Sequence, residues 1–199
     1  LHDALPISFD EEGVCNLCRA YMRTADPQKT SRLREKKKRE FISLIRKNKG
    51  RADHDILACY SGGKDSTYML KQLREKFGLR VLAFTFDNGF IPEGAFRNIR
   101  TITDALDVDH VVFRPSQKIL KRVFRGSLKK NLYAPKTIER ASTICTSCIG
   151  LVKYTSFKTA IQKRIPMVAF GWSTGQSPLD SSIIELNKNM VKKMKSTIR

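Results

Sequence analysis

Residues 56–67 read ILACYSGGKDST, an apolar run followed by a glycine turn and a helix start. The run from Ile56 to Tyr60 is apolar enough for a strand that is buried on both faces, as in a parallel sheet. Gly62 and Gly63 permit a sharp turn that brings the backbone close to a ligand. Asp65 to Thr67 favour a helix start, where free N–H groups attract an anion. Together with the positive charge of Lys64, the stretch predicts a loop that holds phosphates.

This loop differs from the common phosphate-binding patterns. A Walker A loop reads G-x-x-x-x-G-K-[ST], and a dinucleotide-binding turn reads G-x-G-x-x-G. Neither pattern occurs in the chain. The hexapeptide from Ser61 to Ser66, set between a strand and a helix, resembles the SGGKDS signature of the PP-loop ATP pyrophosphatases. That resemblance implies an enzyme that splits ATP between the α and β phosphates, leaves AMP on a substrate oxygen and releases pyrophosphate, with Mg²⁺ offsetting the phosphate charge.

Strand and helix patterns alternate after this loop. Predicted strands cover residues 55–60, 80–86, 109–114 and 166–171, and predicted helices cover residues 66–77, 92–106, 116–130 and 148–164. A connector runs from Pro135 to Cys145. This order predicts an α/β fold, a Rossmann-like parallel sheet with helices on both faces. Because ligands bind at the carboxyl ends of such strands, we expect the phosphate loop to meet residues 86–89 and 171–176.

The predicted ATP site combines these loops. The resemblance places the end of the second strand beside the adenine and ribose, where Asp87 either contacts the ribose or only forms a turn. Asp65 either holds the metal ion or caps the helix, and Lys64 holds the departing phosphates. Gly171-Trp172-Ser173 stands where some PP-loop enzymes have a histidine-and-acid motif, which argues against a close relative of lysidine synthetase. The predicted ATP-binding residues are Tyr60, Ser61, Gly62, Gly63, Lys64, Asp65, Ser66, Thr67, Phe86, Asp87 and Gly171, with Lys64 and Asp65 also predicted to be catalytic.

Two cysteine pairs have C-x-x-C spacing, and a fifth cysteine, Cys59, lies on the first strand as a predicted core residue. Residues 9–21, FDEEGVCNLCRAY, resemble the N-terminal segment of N-acetyl sugar amidotransferase-type PP-loop proteins. In those proteins a further cysteine pair precedes this segment, but residues 1–8 contain none. Cys15 and Cys18 are therefore two ligands of a zinc knuckle or a pair of free thiols.

The second pair, Cys145 and Cys148, lies where a loop enters a predicted helix, whose amino end lowers thiol pKa values. Three interpretations stay open. The pair carries sulfur or electrons, as in tRNA-thiolating PP-loop enzymes, and is then catalytic. It ligates zinc or an iron–sulfur cluster, with Cys15 and Cys18 as candidates to complete the site. Or it is structural.

The charge balance is strongly basic, with 38 Lys and Arg against 19 Asp and Glu, a net charge of +19. Such an excess indicates a polyanionic partner, nucleic acid above all. Much of it falls in residues 27–51, a predicted helix in which Phe41, Leu44 and Ile45 can dock on the domain. Its remaining face is either a solvated surface or a handle for RNA or another polyanion.

We accordingly predict a cysteine knuckle over residues 1–26, a basic linker helix over 27–51 and a PP-loop domain over 52–199, with completeness open at both ends. No apolar run is long enough to span a membrane, and the cysteine pattern is not a secreted disulfide framework, so we expect a cytoplasmic protein.

The favoured function is that of an N-acetyl sugar amidotransferase-like enzyme, which activates a carbonyl or amide oxygen with ATP and takes ammonia from a partner glutaminase. The alternatives are tRNA thiolation through Cys145 and Cys148, and a nucleotide- or RNA-binding module without turnover. The acceptor is accordingly a small molecule or tRNA.

Overall fold

Four parallel strands form the sheet in the computed structural model, which describes residues 7–24, 26–129, 132–138, 141–172, 177–187 and 189. The strands are β1 (Ile56–Cys59), β2 (Val81–Phe86), β3 (Asp109–Phe113) and β4 (Met167–Phe170), in the spatial order β3-β2-β1-β4. All neighbouring strands pair in parallel. The predicted fold class is confirmed.

The strand order reverses beside β1. The chain moves outward from β1 to β2 and β3, and then returns to the opposite side of β1 to form β4. Ala58 at the centre of β1 pairs with Ala83 of β2 on one side and with Ala169 of β4 on the other. In open α/β sheets this kind of reversal opens a crevice at the carboxyl ends of the strands, where ligands bind.

Helices connect the strands and precede them. The helices are α1 (Asn16–Thr24), α2 (Pro27–Asn48), α3 (Lys64–Lys71), α4 (Glu93–Ala105), α5 (Gln117–Lys129), α6 (Pro135–Ile138) and α7 (Thr143–Gln162). A π turn over Gln72–Lys76 continues α3, and a short 3-10 helix covers Leu179–Ser181. Within the described ranges, none of the helices has the length and apolar character needed to cross a membrane.

Two predicted helix starts are wrong. The helix after β1 begins at Lys64 rather than Ser66, because Gly63 takes the extended backbone (φ −77°, ψ 159°) of an N-cap. The helix that carries the second cysteine pair begins at Thr143 rather than Cys148, because the Ser142 side chain caps it by accepting the N–H of Cys145. Residues 145–148 therefore lie inside α7. The predicted connector before them contains the single turn α6, and position 130 of the predicted 116–130 helix lies outside the described residues.

The core has two parts, one on each face of the sheet. Ile56 and Ala58 point to the face covered by α2, α3 and α4, where they join one buried cluster with Ile45, Leu70 and Ile99. The intervening Leu57 points to the other face and packs in a second cluster that includes Phe84 of β2 and Ala160 of α7. Because alternate side chains of a strand point to opposite faces, burial of the whole β1 run requires helices on both sides.

The predicted docking face of the basic helix is present in α2. Ile45 is buried in the first core cluster, and Phe41 packs edge-to-face on Phe77 with ring centroids 5.3 Å apart. The domain bounds at residues 26, 51 and 52 stay predictions.

A buried carboxylate joins the amino ends of β1 and β2. Asp55 accepts hydrogen bonds from the N–H of Gly50 (2.6 Å), from the N–H of Arg80 (2.9 Å) and from the Arg80 guanidinium (3.1 Å). Burial alone raises the pKa of Asp55, but the bonds from Arg80 and Gly50 outweigh it and hold the pKa below its ordinary value. The charged form of Asp55 therefore stabilises the fold.

We predict that Asp55→Asn lowers the free energy of unfolding at pH 7 by about 2–3 kcal/mol, since the buried group loses its charge-assisted bonds. A lowered pKa gives stability that is present above the ordinary carboxyl pKa of 3.8 and disappears as the pH falls through the folded value. The difference between wild type and variant should thus shrink in urea titrations below about pH 4. Asp53→Asn, at an exposed position in the same turn, is the control and should change little. An equal loss in both variants would contradict this role for Asp55.

Candidate phosphate-binding site

Strand β2 and helix α4 both contact the glycine turn after β1. The N–H of Tyr60 donates to the Phe84 carbonyl (2.8 Å), and its own carbonyl accepts the Thr85 hydroxyl (2.7 Å). Gly62 has a φ of +77°, and a Cβ at this position would lie 2.7 Å from Cγ1 of Ile99 in α4. The turn therefore requires glycine here both for its backbone angle and for the space that Ile99 fills.

A chain of hydroxyl groups closes the loop on itself. The Ser66 hydroxyl donates to the Gly63 carbonyl (3.0 Å), and since it has one proton, the Ser61 hydroxyl is the donor in the Ser61–Ser66 pair (3.1 Å). The N–H of Ser61 also donates to the Ser66 oxygen (3.3 Å), and the N–H of Gly63 donates to the Ser61 oxygen (3.4 Å). The two serines thus fix the loop shape without a ligand.

Three backbone donors in the first turn of α3 have no hydrogen-bond partner among the residues that the structure describes. The first bond of this helix runs from the N–H of Thr67 to the Gly63 carbonyl (2.9 Å), so the N–H groups of Lys64, Asp65 and Ser66 precede it. The Lys64 and Asp65 side chains are exposed, whereas Ser66 is buried. The Tyr60 hydroxyl lies 3.2 Å from the Thr67 hydroxyl and links the strand end to the same turn. This arrangement suits an anion at the carboxyl end of β1.

The loop after β4 packs directly on this turn. A Cβ on Gly171 would lie 2.7 Å from Cα of Ser66 and 3.0 Å from its nitrogen. Only a glycine allows the β4 end to approach the start of α3 this closely. The two loops therefore meet where the strand order reverses, as the sequence predicts. Residues 173–176 of the predicted β4 loop lie outside the described residues.

A cavity of about 360 Å³ opens beside this contact. Asp65, Gly171 and Trp172 line it together with Phe41 of α2 and Tyr68 of α3. Trp172 stacks on Phe170 with centroids 4.9 Å apart, and the Lys153 ammonium lies 4.8 Å from the Trp172 ring centroid. Burial lowers the pKa of Lys153. Trp172 therefore packs on one side, and 42% of its surface stays exposed.

The carboxylate at the end of β2 is engaged within the protein. Asp87 is buried, accepts the N–H of Gly89 (2.8 Å) and pairs with Nε of Arg114 (2.6 Å) at the end of β3. These contacts correspond to the turn-forming alternative, and a ribose contact stays a prediction. Phe86 stacks on Phe113 with centroids 6.0 Å apart. The sequence analysis did not assign Arg114 to the site, although its place at the carboxyl end of the predicted strand 109–114 was the available signal.

The second cysteine pair lies near the end of β2. Cys145 is exposed in the first turn of α7, and Cys148 is half-buried with the Asn88 amide donating to its sulfur (3.7 Å). Burial, with a smaller contribution from the charge of Cys145, raises the pKa of Cys148 and outweighs the Asn88 bond, so the predicted lowering is wrong for this thiol. Asn88 lies in the predicted 86–89 loop, but its contact with Cys148 was not predicted, since nothing in the sequence links residues 60 positions apart.

The first cysteine pair lies in a small hydrogen-bonded module. Asp10 accepts the N–H of Val14 (2.9 Å) and pairs with Arg19, and the N–H of Cys18 donates to the Cys15 sulfur (3.3 Å). This bond lowers the pKa of the Cys15 thiol. By contrast, Cys59 is a core residue as predicted, and burial raises its pKa to about 12.

The structure does not bring the two pairs into one metal site. Across the described ranges, no three His, Cys, Asp or Glu side chains are grouped closely enough to hold a metal ion. Each pair alone offers two sulfurs to one metal, fewer than a closed zinc site requires. Zinc or cluster ligation by Cys15, Cys18, Cys145 and Cys148 stays a prediction.

Comparisons with known proteins give local and distant similarities. No family model matches the chain. An uncharacterized protein of Methanocaldococcus jannaschii is 39% identical over 80 residues, which is 39% of this chain and 28% of that protein. The chain therefore spans well under a third of the length of this relative.

Three solved structures are similar at low sequence identity. A predicted subunit of tRNA methyltransferase from M. jannaschii has a TM-score of 0.41 at 17% identity, covering 72% of this chain and 63% of its own. U34-tRNA thiolase NcsA from Methanococcus maripaludis, solved with its 4Fe-4S cluster, has a TM-score of 0.39 at 15% identity. The match covers 67% of this chain and 44% of the thiolase chain. NMN synthetase from Francisella tularensis has a TM-score of 0.45 at 14% identity, and the match covers 74% of this chain and 62% of the synthetase chain.

The chain's own geometry agrees with the family resemblance. A Rossmann-like parallel sheet carries the SGGKDS loop between its internal strand β1 and helix α3, which is the strand–turn–helix setting that the sequence predicts.

We predict that Gly171→Ala destabilises the protein by about 1–3 kcal/mol, because the added methyl group meets the backbone of Ser66. Gly126→Ala in α5 is the matched control, since a Cβ there meets nothing within 4 Å and alanine favours the helix. Equilibrium unfolding in urea measures both variants. A Gly171→Ala protein as stable as the control would show that β4 and α3 are not in the close contact described.

Proposed function

We propose that this chain is the ATP-binding part of an enzyme that splits ATP between its α and β phosphates and adenylates an acceptor oxygen. One observation carries the proposal: the Ser61–Ser66 loop is closed by its own hydroxyls and leads into the first-turn N–H groups of α3, beside the β1/β4 reversal. A loop shaped in advance for phosphate loses little entropy when the nucleotide binds.

Each part of the loop has a role in this reaction. The N–H groups of the first turn and the Lys64 ammonium bind the β and γ phosphates and stabilise the charge that gathers on them as they leave. The acceptor oxygen attacks the α phosphorus, the bond from that phosphorus to the bridging oxygen breaks, and its electrons depart with pyrophosphate. A nitrogen or sulfur nucleophile then displaces AMP from the acceptor.

Mg²⁺ fits the residues at this loop. Asp65 offers an exposed carboxylate in the first turn of α3 and lines the adjacent cavity, and hard cations prefer such oxygen ligands together with phosphate oxygens. Asp65 would hold the ion, which when bound neutralises phosphate charge.

For the acceptor, the favoured candidate is a sugar carbonyl or amide, with ammonia from a partner glutaminase. The N-terminal module supports this candidate, because Asp10, Glu12 and Arg19 form an ion-paired turn within the segment that resembles the sugar amidotransferase type.

The second candidate is tRNA thiolation. It is supported by the position of Cys148 beside Asn88, which follows β2 at the ligand-binding edge of the sheet, and by the net charge of +19. A protein that only binds nucleotide or RNA would keep the loop without forming pyrophosphate.

We predict that Lys64→Ala slows release of AMP and pyrophosphate on the order of 100-fold or more, because the charge leaving with the phosphates loses its cation. Lys71→Ala is the matched control, since this lysine lies on the same helix and pairs with Glu75. The assay follows labelled ATP with Mg²⁺ and candidate acceptors. Full activity in Lys64→Ala would refute the role of the loop. ADP and phosphate as products would refute cleavage between the α and β phosphates, and absence of products with every acceptor would favour the binding module.

The double variant Cys145→Ser, Cys148→Ser separates the two acceptor classes. We expect it to abolish sulfur transfer to tRNA if the thiols carry or ligate sulfur, and to leave amidation of a sugar unchanged. Iron, zinc and sulfide analysis after anaerobic purification of both proteins is the independent measurement. Sulfur transfer at the wild-type rate by the double variant would exclude these thiols from the chemistry.

A further inference from the structure

Helix α2 carries a straight stripe of cations on its exposed face. Its members recur three or four residues apart, with Ser43 filling the one intervening position, so they lie on one side of the helix. The stripe residues are Lys29, Arg32, Lys36, Arg39 and Arg46, all of them exposed. At about 1.5 Å per residue the stripe is about 25 Å long.

The acidic residues of α2 leave this stripe unneutralised. Glu35 and Glu40 pair with Lys38 (4.0 Å) and Lys37 (3.0 Å), which lie off the stripe. Among the residues that the structure describes, no carboxylate lies within ion-pair distance of a stripe cation. A row of aligned cations without such partners is suited to a molecule whose negative charges also repeat along a line.

The opposite face of α2 limits the kind of partner. Ile45 is buried and Phe41 packs on Phe77, so the apolar residues of the helix face its own domain. An interfacial membrane helix needs its apolar face free for lipid, which disfavours a membrane surface.

Aromatic rings lie on the domain-facing side of α2, across the helix from the stripe. Phe41 lines the 360 Å³ cavity together with Tyr68 and Trp172, whose surfaces are 66% and 42% exposed. Unpaired bases stack on exposed rings of this kind, while their backbone follows a basic surface. Duplexes keep their bases stacked inside and have no use for such rings.

We propose that the α2 stripe is a docking surface for the phosphate backbone of RNA, from which a single-stranded segment passes around the helix to the aromatic cavity beside the phosphate loop. This inference names a class of partner for the proposed enzyme. It rests on the proposed function in one respect, which is that the cavity beside the phosphate loop belongs to the active site. RNA binding needs neither ATP nor turnover, so the RNA-binding proposal and the proposed reaction can be refuted independently.

The test measures binding of the full chain to a labelled single-stranded RNA over a series of salt concentrations, without ATP. The variant is Lys29→Gln, Arg32→Gln, Lys36→Gln, Arg39→Gln, in which glutamine keeps helix propensity. Loss of four phosphate contacts should reduce the salt slope, log Kd against log salt, by about three and weaken binding at 0.1 M salt by on the order of 100-fold or more.

The matched control removes the same charge from another exposed helix face. Lys118→Gln, Lys121→Gln, Arg122→Gln, Arg125→Gln on α5 has the same net charge as the α2 variant and should keep most of the affinity and slope. Circular dichroism and thermal unfolding verify that both variants fold.

Three outcomes would overturn the inference. Wild-type RNA binding by the α2 variant would exclude the stripe, and an equal loss in the α5 variant would show only a general attraction by net charge. Tighter binding to duplex DNA of the same sequence, or to vesicles of anionic lipid, would assign the surface to another partner.

Discussion

The contact between Gly171 and Ser66 is the constraint on which the candidate site depends. It joins two loops that are more than 100 residues apart in the chain, and it leaves no room for a side chain between them. Ser66 in turn holds the loop through its hydroxyl, which serves Ser61 and Gly63. Ser66 therefore belongs both to the bonds that shape the turn and to the close backbone approach that brings the end of β4 beside it.

Much of the fold could be predicted because its signals are local. A continuous apolar run such as residues 56–60 can be satisfied only by cover on two faces, and the glycine pair with Lys64 marks a sharp turn into a helix. All four strands lie where the sequence places them, within one or two residues at each end. The site was predictable to the extent that parallel strands end at a common edge.

The errors share a different cause. The start of α7 depends on which of several hydroxyl residues becomes the cap, and because Ser142 does so, the helix begins well before the predicted first residue, Cys148. The pKa of Cys148 depends on burial by distant parts of the chain, and the pairing of Asp87 with Arg114 depends on the neighbourhood of two strand ends. None of these features is determined by a short stretch of sequence, so hydrophobic periodicity and residue propensities cannot predict them.

The Gly62 turn also has a thermodynamic meaning. The turn contacts Ile99 of α4, is hydrogen-bonded by Ser66 of α3 and lies against Gly171 after β4. Segments that follow three different strands must therefore be folded before the anion site exists. A ligand that binds this turn therefore binds only the assembled sheet, and its free energy of binding adds to the cohesion of β4 with the rest. The nucleotide would then act as a structural element as well as a substrate, and saturation of the site would raise the unfolding temperature of the whole domain.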